Sequence, residues 1–82
     1  MADVKVYGAD WCHDTKDVRA FLQRREVNYD YIDIDNNPTA AAWVRQHNNG
    51  KEQKPTLDVK GQVLSNPTHG ELEDALRAEG IL

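Results

Sequence analysis

Apolar residues recur along this chain with two periods, and the alternation between them predicts its elements. Val4-Lys5-Val6-Tyr7 alternates and carries two β-branched residues before Gly8 interrupts it, the pattern of a short strand. Gly8 to Trp11 then reads as a loop. From Thr15 onward the apolar positions Val18, Phe21 and Leu22 fall at i, i+3 and i+4 among Lys16, Asp17, Arg19, Arg24 and Arg25, so a helix buries one stripe. Asp14 and Asp17 near its start and Arg24 and Arg25 at its end match the signs of the helix dipole. Tyr29-Asp30-Tyr31-Ile32-Asp33-Ile34 returns to period two and predicts a second strand, with Ile32 and Ile34 facing the core.

Asn37-Pro38 supplies a cap and a first-turn proline for a second helix, which runs through Ala40, Ala41, Trp43, Val44 and His47 and stops at Asn48-Asn49-Gly50. Pro55-Thr56-Leu57-Asp58-Val59 and Gln62-Val63-Leu64 flank Lys60-Gly61, a two-residue connection that favours an antiparallel hairpin. Thr68 followed by Glu71 forms a capping box, and Leu72, Ala75 and Leu76 give a last amphipathic helix ending at Gly80. The order is βαβαββα. A strand, helix, strand unit pairs its strands in parallel through a right-handed crossover, and the hairpin adds antiparallel strands to the same sheet. The fold class is therefore α/β, with a four-stranded mixed sheet and three helices.

Eighty-two residues allow a single domain, 1–82. With 39% hydrophobic and 29% charged residues, the composition is that of an ordinary soluble globular chain. No run approaches the roughly 18 apolar residues of a membrane span, and the start lacks a basic segment followed by an apolar one, so the expected location is the cytoplasm. Fourteen acidic against 10 basic residues give a net charge of -4, which argues against holding a nucleic-acid backbone. Cys12 is the only cysteine, so one chain can build neither an internal disulfide nor a cysteine-rich metal site, and stability rests on packing.

Cys12 falls between the first strand and the first helix, where unpaired amides and the positive end of the dipole favour an anion. A thiolate is such an anion, and cysteines at helix N-termini ionise more readily than free thiols, which makes attack on a disulfide possible. The alternative is a small buried hydrophobe, the common fate of a free cysteine.

Val6-Tyr7, Trp11-Cys12-His13-Asp14-Thr15, Lys54-Pro55-Thr56 and Ser65-Asn66-Pro67-Thr68 occur in glutaredoxin order, and the chain resembles a glutaredoxin over nearly its whole length. The Trp before Cys12 and the Asn-Pro-Thr before the last helix are most similar to the mycoredoxin branch and small bacterial glutaredoxins. The resemblance implies a thioredoxin-like fold and thiol-disulfide oxidoreductase activity through Cys12, with Tyr7, Trp11, His13 and Thr15 in support. It also implies a cis-proline at Pro55 facing the nucleophile, with Lys54 offering its backbone to the incoming disulfide; a trans proline starting an edge strand is the other reading. Thr68 and His69 occupy the turn that would receive the carboxylate of a low-molecular-weight thiol, glutathione or mycothiol. That site also has a simpler reading, in which Thr68 and Glu71 satisfy the helix start themselves. The implied partners are disulfide-containing client proteins and the small thiol as co-substrate, with no tightly bound cofactor, and the chain is expected to act as a monomer.

Departures from the family pattern shape the expectation. Thr15 stands where a dithiol relative has its second cysteine, so resolution of a mixed disulfide must come from a second thiol molecule. The Thr15 hydroxyl could serve the sulfur or bond back to its own helix. Ala9 replaces a lysine common in the family, Asp10 could oppose Cys12, Asp14 should point away, and His13 is either a compensating imidazolium or simply solvent-facing. Cys12-His13-Asp14 does not suit a metal, because adjacent side chains at a helix start diverge. Two further readings stay open. One is a redox-weak binding module that uses Trp11 and the Pro55 groove. The other is a dimer in which two Cys12 thiolates and two small thiols bridge a [2Fe-2S] cluster, although Cys12-His13-Asp14-Thr15 differs from the Cys-Gly-Phe-Ser typical of cluster carriers. Trp43 is read as core or as a partly exposed lid.

Overall fold

The computed structural model describes residues 2–82. Strand β1 (Val4–Gly8) leads into helix α1 (His13–Arg24) and then strand β2 (Asp30–Asp33), which passes through a 3-10 turn at Ile34–Asn36 into α2 (Pro38–His47). The hairpin of β3 (Thr56–Val59) and β4 (Gln62–Ser65) follows, and α3 (His69–Ala78) closes the fold. The four strands lie in the order β2-β1-β3-β4. β1 runs parallel to β2, with Lys5 opposite Asp30 and Gly8 opposite Asp33. It runs antiparallel to β3, with Val4 opposite Val59 and Tyr7 opposite Thr56. β3 and β4 pair antiparallel from Thr56–Ser65 to Val59–Gln62. Lys60 and Gly61 both adopt positive φ at the hairpin tip, the left-handed pair that matches the strands' twist.

Alternation in β1 and β3 splits the hydrophobic side chains between two layers. Val4, Val6, Leu57 and Val59 pack with Val18, Phe21 and Leu22 of α1 and Leu72 and Leu76 of α3. The other face carries Ile34, Ala40, Ala41 and Val44, covered in part by Tyr7, Ile32 and Trp43. Leu22, Leu57, Leu72 and Leu76 are fully buried, each contributing about 1.5–3 kcal/mol of apolar transfer.

One boundary differs from the periodic reading and one agrees with it. α1 begins at His13, beside Cys12 as expected, and Cys12 is the cap residue: its backbone is extended and its carbonyl accepts from Lys16 N at 3.1 Å. β2 ends at Asp33, whose carboxylate accepts from Asp35 N at 3.0 Å and Asn36 Nδ2 at 2.6 Å and curls the chain into the 3-10 turn. Ile34 is nevertheless buried, whereas Ile32 is only half-buried beneath the α2 layer. Tyr31 packs against the first core layer, so both faces of β2 are covered.

α1 reaches the sheet at Gly8. A Cβ built there would stand 2.5 Å from both Cγ2 and Oγ1 of Thr15, so only glycine lets β1 and α1 pass this closely. At the far end of α1, Arg25 pairs with Glu73 of α3, which Arg77 also contacts at 3.0 Å. The Thr68–Glu71 capping box forms at the start of α3 in both directions, at 3.1 and 2.8 Å.

Candidate active site

The strand-to-helix turn after β1 carries the nucleophile candidate. Cys12 N donates to Ala9 O at 3.1 Å, closing the turn, and the half-buried side chain emerges as the helix begins. The amides of His13, Asp14 and Thr15 form the first turn, have no partner one turn back in the helix, and present its positive end beside the sulfur. Across the cleft, the Cys12 thiol donates to the Lys54 carbonyl at 3.9 Å, a long sulfur contact. The Lys54–Pro55 peptide is cis, and Pro55 is fully buried where β3 begins.

Thr15 is fully buried, and its Oγ1 accepts from Ala9 N at 3.4 Å. Its hydroxyl therefore serves the loop that holds Cys12. Trp11 is 68% exposed, yet it is held in place: its Nε1 donates to Asp35 at 2.7 Å, and the Lys54 ammonium sits 5.3 Å from the ring centre. His13 is exposed and, among the described residues, forms no hydrogen bond through its ring. Tyr7 stacks on Trp43 at 4.4 Å, and Trp43 packs in turn against the tilted ring of His47 at 4.2 Å, which places Tyr7 in the α2 layer. Burial raises the Tyr7 phenol above its ordinary range, and Asp58 adds to the effect. Trp43 is half-buried as a cover over Tyr7.

The acidic residues near Cys12 are engaged elsewhere. Asp10 accepts from the Tyr31 hydroxyl at 2.7 Å. Burial, reinforced by that bond, pushes the Tyr31 phenol far above its ordinary range, while the Arg19 guanidinium lies 3.9 Å over the Tyr31 ring. Asp14 meets Asn66 Nδ2 at 3.5 Å. In the turn before α3, the Thr68 hydroxyl and amide are both taken by Glu71. His69 Nε2 lies 2.7 Å from Asp17 Oδ2, and its ring packs on Phe21 at 4.7 Å. Thr68 and His69 are thus satisfied within the chain as it stands. Among the described residues, no group of three or more His, Cys, Asp and Glu side chains converges to hold a metal ion.

Two asparagines frame the cleft, Asn66 of the Asn-Pro-Thr motif and Asn48, to which the sequence assigns no place in the site. Asn48, read there only as a helix stop, bonds α2 to both strands of the hairpin. Asn66 adopts φ 43° and donates its amide to Pro55 O at 2.7 Å. An Asn-Pro pair just after a strand was the one available signal for Asn66, since asparagine tolerates the left-handed region better than most residues.

Comparison with known proteins agrees with this architecture. The Glutaredoxin family model matches residues 4–64. Mycoredoxin 1 of Corynebacterium glutamicum is 33% identical over 73 residues, covering 88% of this chain and 90% of that protein. A solved thioredoxin-like protein superposes with a TM-score of 0.83 at 22% identity, covering 94% of this chain and 97% of that one. The glutaredoxin of Archaeoglobus fulgidus superposes with a TM-score of 0.76, also at 22% identity, over 94% of this chain and 88% of that one. The matched segment begins at β1, ends within β4 and contains the Cys12 turn and the Lys54–Pro55 peptide, and the chain belongs to the glutaredoxin family of thioredoxin-fold proteins.

Proposed function

We propose that this chain is a monothiol thiol-disulfide oxidoreductase that exchanges disulfides between client proteins and a low-molecular-weight thiol through Cys12. The Cys12 thiolate attacks the small-thiol sulfur of a mixed disulfide, forming a Cys12–small-thiol disulfide and releasing the client as its thiol. A second small-thiol molecule, as thiolate, then attacks that adduct, leaving the small-thiol disulfide and regenerating the Cys12 thiolate. The mixed disulfide and one free small thiol thereby become the client thiol and the small-thiol disulfide, the free thiol's proton passing to the client, and no second protein cysteine is required. The likeness to a mycoredoxin favours mycothiol as the co-substrate, with glutathione as the alternative.

The observation that carries this reading is the placement of the sole thiol at the cap of α1, with its sulfur 3.9 Å from the Lys54 carbonyl. In that arrangement the attacking sulfur stands at the start of a helix, and the Lys54 backbone would offer pairing to an incoming extended segment. Trp11, exposed beside the nucleophile, would border the bound disulfide, and Thr15 would hold the loop. Thr68 and His69 would meet the small thiol's far end, His69 by exchanging its Asp17 contact for the ligand. The protein would work as a cytoplasmic monomer.

The test is turnover of a client-like peptide in mixed disulfide with mycothiol or glutathione, using the matching free thiol as reductant. Wild-type protein should turn over and Cys12→Ser should not. Turnover unaffected by Cys12→Ser would refute the proposal and leave a docking domain built on Trp11 and the Pro55 cleft.

A further inference from the structure

We propose that Asn48 is a positioning residue for the exchange reaction, clasping the end of α2 to both strands of the hairpin and thereby fixing the Lys54 carbonyl opposite the Cys12 sulfur. The proposal rests on Cys12 being the exchanging thiol.

Residues 48–55 connect α2 to β3 without regular structure, and Asn49 and Gly50 both take positive φ. Residues 49–53 are exposed; Arg45 pairs with Glu52 at 2.7 Å and Pro55 is fully buried, and Gln53 and Lys54 lie between these two anchors. The Lys54 carbonyl is the group across the cleft from Cys12. Hydrogen bonds around it hold it between those anchors.

The Asn48 side chain is suited to the task. Its Nδ2 donates to Val44 O at 2.7 Å and to Thr56 Oγ1 at 3.2 Å, and its Oδ1 accepts from the Ser65 hydroxyl. Both donors of the amide are used, one on α2 and one on β3, while the oxygen is used on β4. Thr56 and Ser65 are directly paired in the sheet, so the amide closes over a single rung of the hairpin. Thr56 is fully buried and passes the constraint on, its hydroxyl donating to Gln53 O at 2.9 Å, the residue before Lys54. From the other side, Asn66, which follows Ser65, holds Pro55 O through its amide and Asp14 through its side chain. Lys54 and Pro55 are thus bracketed by a hydrogen-bonded frame running from the end of α2 to the first turn of α1.

A reaction that needs a substrate aligned between Lys54 and Cys12 is sensitive to this frame, since a misplacement of about 1 Å can cost roughly a hundredfold in rate. Alkylation of Cys12 by iodoacetamide needs only the sulfur. The two reactions therefore separate positioning from general damage.

The experiment compares wild type, Asn48→Ala, Ser65→Ala, Thr56→Val and Thr56→Ser. Readouts are kcat/KM for the mixed-disulfide peptide, the iodoacetamide rate and the melting temperature. The expected result is a fall in kcat/KM of about tenfold for Asn48→Ala and Thr56→Val. A smaller fall is expected for Ser65→Ala, which removes one exposed arm of the clasp and leaves the fold, and Thr56→Ser should keep wild-type activity. Alkylation should stay at the wild-type rate in all variants. The proposal is overturned if Asn48→Ala and Ser65→Ala both keep wild-type kcat/KM. It is equally overturned if exchange and alkylation fall together in Ser65→Ala, which would make the clasp a general support of the fold. Wild-type protein inert toward the mixed disulfide would instead sink the Cys12 exchange reading, a result visible before any variant is compared.

Discussion

Replacing Thr15 with valine isolates one hydrogen bond beneath the Cys12 loop. Valine keeps both branches of the side chain, so the packing against Gly8 is preserved and only the acceptor for Ala9 N–H is lost. Thr15 and Ala9 are both fully buried, so water cannot replace the lost partner. An unsatisfied buried amide costs about 1–3 kcal/mol, and a bond of 3.4 Å belongs at the lower end of that range. With about 4–8 °C of melting temperature per kcal/mol in a domain of this size, Thr15→Val should melt roughly 5–10 °C below wild type. Thr15→Ser keeps the hydroxyl and drops one buried methyl, at a cost of about 0.8 kcal/mol. The two variants should differ at the loop. In Thr15→Val the amide of Ala9 should lose protection in hydrogen exchange, whereas in Thr15→Ser it should keep it. Circular dichroism melts and amide exchange measure both effects. A Thr15→Val protein as stable as wild type, with Ala9 still protected, would refute the role assigned to this hydroxyl.

Other consequences follow from the same packing and electrostatics. Gly8→Ala should destabilise by about 1–3 kcal/mol through overpacking against Thr15, read by urea unfolding; a neutral substitution would mean α1 can withdraw from the strand at no cost. Glu73 ionises below the usual carboxylate range, chiefly through its bond to Arg25, and Glu71 does so chiefly through the Thr68 amide. Both therefore contribute stability above the ordinary carboxyl range and lose it as pH falls through their lowered values. Glu73→Gln should melt below wild type at neutral pH, with the gap closing in acid; a gap that widens in acid would contradict the sign.

Much of the fold was legible because its signals are local. Pro38 after Asn37, the Lys60-Gly61 tip and the Thr68–Glu71 box each depend on residues within a few positions of one another, and all three form as the sequence implies. The start of α1 beside Cys12 was legible from the charge pattern of its turns and not from a cap, since Cys12 caps it through backbone conformation with no side-chain bond. Ile34 left the strand because the Asp33 carboxylate competes for the following backbone, a local effect that alternation conceals.

The candidate site was legible in its centre and not in its surroundings. Cys12 and Pro55 stand out as residue types at meaningful positions, and the chain brings Cys12 against Lys54. The partners that set the charge around them are distant in sequence: Tyr31 takes Asp10, Asp35 takes Trp11, and Asp17 takes His69. Periodicity carries no information about such pairs. Asp10, beside Cys12 in the loop, accepts a bond from a phenol on β2 that no local pattern announces.

The most direct test of the account is intact-mass analysis of the protein after brief exposure to a mycothiol- or glutathione-containing mixed disulfide. The account predicts a mass gain of one small thiol, mapped to Cys12 and removed by a second equivalent of the same thiol. A protein that stays unmodified, or whose adduct the free thiol cannot discharge, would contradict it.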